Sequence, residues 1–210
     1  MISVLIADDH AIVRRGLNQI ISETQDMFVA AEADNGYEAL KKATEDNYDV
    51  VLLNISMPGR NGLDILKQIK RTKPKLPVLM LSVHSQEQCA VRSFRAGASG
   101  YLTKDSAPDE LIAAIRKISG GGKFVNSSLA EKLVFELEVS DERPYHEMLS
   151  DREYQVMCMF AAGKSLKKIA HELSLSVQTI STYRTRILEK MRMNSTAEII
   201  RYAVKHGLVE

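Results

Sequence analysis

The stretch Met1–Ile20, MISVLIADDHAIVRRGLNQI, holds one apolar run and one helical pattern, and the junction between them decides the fold. Ser3 to Ala7 reads as a short buried strand, and residues 11–24 place apolar side chains at the spacing of an amphipathic helix. Two acids, Asp8 and Asp9, sit at the junction. The same unit recurs downstream. Met27 to Ala33, Val50 to Leu53, Pro77 to Ser82 and Gly100 to Leu102 read as strands, with helical patterns near 36–47, 62–71, 86–96 and 107–119. Asn35 with Glu38, Ser85 with Gln88 and Ser106 with Asp109 have capping-box spacing, which marks helix starts. Five alternating units imply parallel strands, because each parallel pair needs a crossover helix. The expected fold is α/β, a doubly wound (βα)5 domain whose site lies at the carboxyl ends of its strands.

The whole chain has 210 residues, more than one typical domain needs, so a second domain is expected. Its apolar share of 45% and charged share of 26% are those of a globular protein and exclude a disordered or collagen-like chain. The net charge of +1 excludes a globally basic nucleic-acid coat, but it is a cancellation. Residues 1–125 carry 16 basic and 15 acidic side chains, 126–147 carry 2 and 6, and 148–210 carry 10 and 6. The acidic stretch, with Glu136, Glu138, Asp141, Glu142, Glu147 and Pro144, reads as a tether. The expected division is a first domain 1–122, a linker 123–147 and a second domain 148–210. Idle, the acidic tether is expected to lie against the basic domain. The two cysteines, Cys89 and Cys158, fit no disulfide or zinc pattern. The N-terminus lacks the pattern of a signal peptide and no run is long enough for a membrane span, so the expected location is the cytoplasm.

Every informative polar group of the first domain follows a strand: Asp8 and Asp9 the first, Asn54 the third, Ser82 the fourth and Lys104 the fifth. An isolated Asp-Asp pair would do no more than start a helix. Acids, a hydroxyl and a lysine brought to one crevice from separate strands read as a site. The carboxylates suit Mg²⁺, a hard ion, and the lysine and hydroxyl suit a phosphoryl group.

The motifs VLIADDH, DVVLLNISMPGRNGL, VLMLSVH and GASGYLTKDSAPDEL resemble a flavodoxin-like response-regulator receiver domain of two-component signalling, over residues 1 to about 122. The resemblance implies that Asp8 and Asp9 organise Mg²⁺ with the backbone carbonyl of Ser56 and the side chain at position 54. It also implies that Ser82 and Lys104 sense the phosphoryl group, that Tyr101 changes orientation with Ser82, and that the partner is a sensor histidine kinase. One residue departs from the pattern. Asn54 stands where the family carries its phosphate-accepting aspartate. A neutral amide is a very poor nucleophile, so no acyl phosphate is expected at 54, and the lost charge should weaken Mg²⁺. Asn54 is either a substitution that holds the inactive state or native to a phosphorylation-independent transcription factor. A site activated by deamidation is disfavoured by the β-branched Ile55 that follows.

The second domain reads as four helices, near 151–162, 166–173, 177–191 and 196–206, with a capping box at Ser150 and Glu153 and C-cap glycines at Gly163 and Gly207. Residues 164–192 hold seven basic and two acidic side chains. From Val177 onward, Ile180, Tyr183, Ile187, Leu188 and Met191 share one side, which leaves Gln178, Ser181, Thr182, Thr185 and Arg186 on the other. Ser176 caps this helix after a tight turn, an arrangement suited to entering the major groove of double-stranded DNA.

The segment LSDREYQVMCMFAAGKSLKKIAHELSLSVQTISTYRTRILEKM, with the closing AVKHGLV, resembles the LuxR-type helix-turn-helix of the NarL/FixJ class of response regulators. The resemblance implies base contacts by Ser181, Thr182 and Thr185, with Gln178 and Thr179 on the same helix start. Lys167, Arg184, Arg186 and Lys190 would lie near the DNA backbone, and the active form would be a homodimer. Many members carry Lys and His where this chain has Ser181 and Tyr183, so base preference does not transfer. The expected function is a DNA-binding transcriptional response regulator rather than an enzyme. A phosphatase would resemble a D-x-D pattern where this chain has Asp8, Asp9 and His10, and a flavin carrier would need a glycine- and hydroxyl-rich loop after the first strand.

Overall fold

The computed structural model describes residues 1–57, 61–82, 87–125 and 144–208, without the side chains of residues 87 and 88. The chain divides into two compact units, Met1–Glu131 and Lys132–Glu210. The linker acids Glu136, Glu138, Asp141 and Glu142 and the Ser85–Gln88 cap lie outside the described residues.

In the first unit the strands are β1 (Ile2–Ala7), β2 (Met27–Ala33), β3 (Val50–Asn54), β4 (Val78–Ser82) and β5 (Gly100–Thr103). They alternate with α1 (Ala11–Ser22), α2 (Gly36–Glu45), α3 (Gly62–Thr72), α4 (Glu87–Arg95) and α5 (Pro108–Ser119). All pairings are parallel, in the order β2-β1-β3-β4-β5. The order reverses between β1 and β3, and ligands of such sheets bind where it does.

Near-continuous apolar runs are what a strand covered on both faces requires. On one face Val4, Ile6, Val50, Leu52, Leu79 and Leu81 pack with Ile21 of α1 and Leu111, Ala114, Ile115 and Ile118 of α5. The alternate residues Leu5, Val51, Leu53 and Met80 are equally buried, as the two-residue period dictates for the opposite face. Pro77 lies just outside β4 because it has no N–H, yet its carbonyl accepts from Val51 N at 2.9 Å. Beyond α5, Phe124 bridges to Gly100 and donates its backbone N–H to the Ser99 carbonyl at 2.9 Å, so the described unit continues along the edge of β5.

Helix starts follow their caps with two corrections. Asn35 accepts from the Tyr37 and Glu38 N–H groups, while Glu38 reaches back to Asp34 N rather than to the cap itself. The expected box at Ser106 and Asp109 does not form. Pro108 holds the first helical position with Ala107 as N-cap, and Ser106 Oγ pairs with Thr103 Oγ1 at 3.2 Å. Proline presets the helical φ and leaves no N–H there to satisfy, so the start needs no side-chain cap.

The second unit opens with a 3-10 helix (Tyr145–Met148), followed by α6 (Asp151–Ala161), α7 (Leu166–Glu172), α8 (Val177–Met191) and α9 (Thr196–Lys205). The full capping box forms at Ser150 and Glu153. The turn between α7 and α8 places Ser174 at φ +52, and Gly163 and Gly207 take φ of +74 and +61 beyond their helices. Among the described residues no helix is long and apolar enough to cross a membrane.

Candidate functional site

Because β1 and β3 are neighbours paired in register at Ala7 and Leu53, the residues that follow them share one crevice. Asp8 is wholly buried and Asp9 partly exposed; with His10 they form a cluster whose ligand atoms lie within 4.8 Å of one another. Asp8 Oδ1 accepts from the His10 backbone N–H at 2.9 Å, and the His10 ring sits 3.2 Å from Asp8 and 3.1 Å from Asp9. Across the sheet, Lys104 Nζ lies 2.5 Å from Asp8 Oδ2, a charge contact rather than a directed hydrogen bond. The backbone N–H of Lys104 donates to the Ser82 carbonyl at 2.7 Å, which ties the ends of β4 and β5 together.

Asn54 ends β3 in this crevice and is buried. Its amide nitrogen donates to Asp9 Oδ1 at 2.9 Å and to the Ser56 carbonyl at 3.0 Å. The orientation follows from its surroundings. Turning the amide over would set its oxygen against a carboxylate and a carbonyl, three acceptors together. As it stands, Asn54 Oδ1 is buried without a donor among the described residues, which costs less than that repulsion. The floor beneath is tight: Gly62 opens α3 where a Cβ would meet the Asn54 carbonyl oxygen at 2.2 Å. Tyr101 is buried and hydrogen-bonded with Ser82; burial pushes its hydroxyl well above the usual tyrosine value, the nearby Cys89 adds to this, and the Ser82 bond opposes it.

Two carboxylates and a backbone carbonyl are the hard oxygen donors that Mg²⁺ takes. Asn54 does not fit that set as it stands, because its N–H groups already hold the Asp9 and Ser56 oxygens.

In the second unit, Lys167, Gln178, Thr182, Thr185 and Arg186 are exposed, Ser181 and Thr179 half so. Thr179 Oγ1 pairs with the capping Ser176 at 2.8 Å, and the Thr182 and Thr185 hydroxyls bond back to the Gln178 and Ser181 carbonyls. Ile180, Ile187 and Met191 are buried on the opposite side, as the periodicity predicts. Two of the basic residues are engaged within the unit. Arg184 donates from Nε to Thr196 Oγ1 at 2.8 Å, and Lys190 Nζ lies 2.5 Å from Glu153 Oε2.

The chain matches the family described as the response regulator receiver domain over residues 4–116, and the luxR family of bacterial regulatory proteins over residues 147–203. It belongs to the response regulators of the luxR family. The regulator is 34% identical to the response regulator UvrY of Escherichia coli (strain K12) over 209 residues, 99% of this chain and 96% of that one. It is 35% identical to the response regulator GacA of Pseudomonas aeruginosa over 213 residues, covering 100% and 99%. Among solved structures it resembles an RcsB–DNA complex at 25% identity and a TM-score of 0.59, covering 97% of this chain and 98% of that one. The last of these is a two-component response regulator in complex with DNA.

Sequence reading placed the acids, Asn54, Ser82 and Lys104 of the regulator at one crevice; the structure joins Asp8 to Lys104, Asp9 to Asn54, and Ser82 to Lys104 and to Tyr101. It missed the bridging position of His10, although the run Asp8-Asp9-His10 put an imidazole beside both acids. It also missed Arg14, which donates to the Asp8 carbonyl at 2.7 Å, and the partnership of Lys190 with Glu153; the latter spans 37 positions, and no local pattern signals it.

Proposed function

We propose that this regulator is a cytoplasmic, DNA-binding transcription factor whose receiver cannot be phosphorylated at position 54. The observation that carries the reading is the carboxamide of Asn54 at the β1/β3 switch point, where the chemistry of the family needs a carboxylate. An amide offers no oxygen nucleophile for phosphorus, and the pocket has one negative charge fewer with which to hold Mg²⁺. Mg²⁺ binding is accordingly weakened, with Asp8, Asp9 and the Ser56 carbonyl as the remaining ligands. A sensor histidine kinase is the family's input, and without an acceptor the regulator stays at the basal DNA affinity of its idle state.

The DNA-facing surface is the exposed side of α8 with Lys167 of α7. Ser181, Thr182 and Thr185, with Gln178 and Thr179, face base edges, and Lys167 and Arg186 face phosphates. A homodimer bound to double-stranded DNA is the working form. The test is DNA affinity with and without a small phosphodonor, for the unsubstituted chain and for Asn54→Asp. Only Asn54→Asp should tighten on the donor; an equal response of both chains removes the assignment of position 54.

A second reading, a regulator that works natively without phosphate, draws support from Asn54, whose amide finds two acceptors already in the pocket. Full promoter activity of the Asn54 chain in cells without a cognate kinase would select it.

A further inference from the structure

We propose that Asn54 replaces the cation of the pocket as well as the nucleophile. It is a positioning residue whose amide holds the Asp9 carboxylate and the Ser56 carbonyl where a divalent ion would otherwise hold them. The argument starts from the charges. Asp8 and Asp9 are adjacent, and two neighbouring carboxylates in a crevice repel unless something positive lies between them. Asp8 is answered by Lys104 at 2.5 Å, and the exposed His10 ring lies 3.2 Å from Asp8 and 3.1 Å from Asp9 at the mouth of the crevice. Asp9 faces the partial positive charge of the Asn54 amide at 2.9 Å, and the same nitrogen reaches the Ser56 carbonyl at 3.0 Å. One NH₂ group thus spans two oxygens of the kind a hard cation would bridge, and each of its hydrogens has an acceptor.

The backbone fixes this geometry. The Ile55 N–H donates to the Leu81 carbonyl at 3.0 Å, and the Gly62 N–H donates to the Ile55 carbonyl at 2.8 Å, so the segment bearing Asn54 is tied to β4 on one side and to the start of α3 on the other. An aspartate at the same position would present two acceptors to Asp9 and Ser56. The pocket would then hold three carboxylates beside one lysine, a repulsion that a divalent cation would relieve. The amide makes the ordered pocket independent of metal.

This inference rests on the reading that Asn54 occupies the acceptor position, and its test is separate from that one. Backbone hydrogen exchange of the Ile55 and Gly62 amides, followed by NMR on the full chain, reports opening of the pocket floor. In the unsubstituted chain their rates should be the same in EDTA and in millimolar Mg²⁺, and the Asn54 side-chain NH₂ signals should stay protected and unmoved. In EDTA, Asn54→Asp should exchange about tenfold faster or more, since it loses a hydrogen bond to a charged group and gains a repulsion, and Mg²⁺ should restore it. Asn54→Ala removes the donors without adding charge and should exchange faster in EDTA as well. Two results overturn the proposal: Mg²⁺ slowing exchange in the unsubstituted chain as much as in Asn54→Asp, or Asn54→Asp exchanging in EDTA no faster than the unsubstituted chain. Should Asn54→Ala not fold, the Asn54→Asp comparison decides alone. A phosphodonor response of the unsubstituted chain would remove the reading of position 54 and leave these rates as they are.

Discussion

Replacing Lys190 with methionine separates two roles for a cation on α8, contact with phosphate and attachment of the helix to its own domain. Lys190 Nζ lies 2.5 Å from Glu153 Oε2, and the Glu153 side chain is 4% exposed while that of Lys190 is 42% exposed. Glu153 Oε2 also accepts the Ser150 N–H at 2.8 Å as half of the capping box. Methionine keeps the length of the stem and removes the ammonium, so the buried carboxylate retains only its Ser150 donors. A buried acceptor short of a partner costs about 1–3 kcal/mol. The carboxylate keeps its Ser150 donors and the lysine was half in water, which favours the lower part of the range, ~1–2 kcal/mol. For a domain of this size each kcal/mol moves the melting midpoint by about 4–8 °C, so the fall should be on the order of 10 °C. DNA binding gives the second measurement. A lost phosphate contact flattens the slope of log affinity against log salt by about 0.9. Lys190, held by Glu153, should leave the slope unchanged, whereas Arg186→Ala, at an exposed residue with no ion pair among those described, should flatten it by about 0.9. Anisotropy titrations across salt, run well below both midpoints, read the slope, and calorimetry reads the midpoint. A flattened slope with an unmoved midpoint for Lys190→Met would refute this division of roles.

Three further outcomes follow from the same geometry. Gly62→Ala should destabilise the receiver by several kcal/mol in denaturant titration, because its Cβ would meet a backbone carbonyl oxygen at 2.2 Å and no side chain can move aside. Thr182→Ala should change sequence preference among binding sites while leaving the salt slope alone, read by competition with unrelated DNA. Burial would raise the Glu153 carboxyl, but the Lys190 hydrogen bond and the Ser150 donors outweigh it and hold it below the usual 4.5. Its stability contribution is therefore present above about 4.5 and lost as pH falls through the lower folded value. In Lys190→Met the folded carboxyl lies closer to its unfolded value, so the midpoint should fall less on acidification, measured as midpoint against pH.

The sheet was legible because its strands are buried on both faces: runs such as Val50–Leu53 have no other stable place in a chain of this size, and the polar residue after each run then falls at the crevice. What escaped the sequence depends on which way a group points or on distant packing. The orientation of the Asn54 amide is set by Asp9, 45 positions away, and by the Ser56 carbonyl; neither is visible in Asn54 itself. The resemblance set Arg184 and Lys190 near the DNA backbone, on a basic helix. Their engagement with Thr196 and Glu153 exists only once α8 packs on α6 and α9. Ser106 shows the reverse case, a local signal overridden by a nearer one, since Pro108 fixed the start of α5.

The geometry also bears on whether Asn54 could become aspartate without a change of gene. Deamidation needs the following backbone nitrogen, that of Ile55, to attack the Asn54 side-chain carbon and close a five-membered ring. That nitrogen donates to the Leu81 carbonyl at 3.0 Å within the sheet, and the carboxamide is held by Asp9 and Ser56, so neither partner is free to approach the other. The β-branched Ile55 adds crowding at its own nitrogen. Ring closure would require β3 to leave the sheet while its flanking residues are buried. The folded regulator should therefore keep Asn54 through prolonged incubation at mildly alkaline pH, as peptide mass spectrometry would record, while the urea-unfolded chain converts slowly. Conversion in the folded chain as fast as in the unfolded one would mean that the pocket opens freely, and a carboxylate at position 54 would then be reachable by ageing.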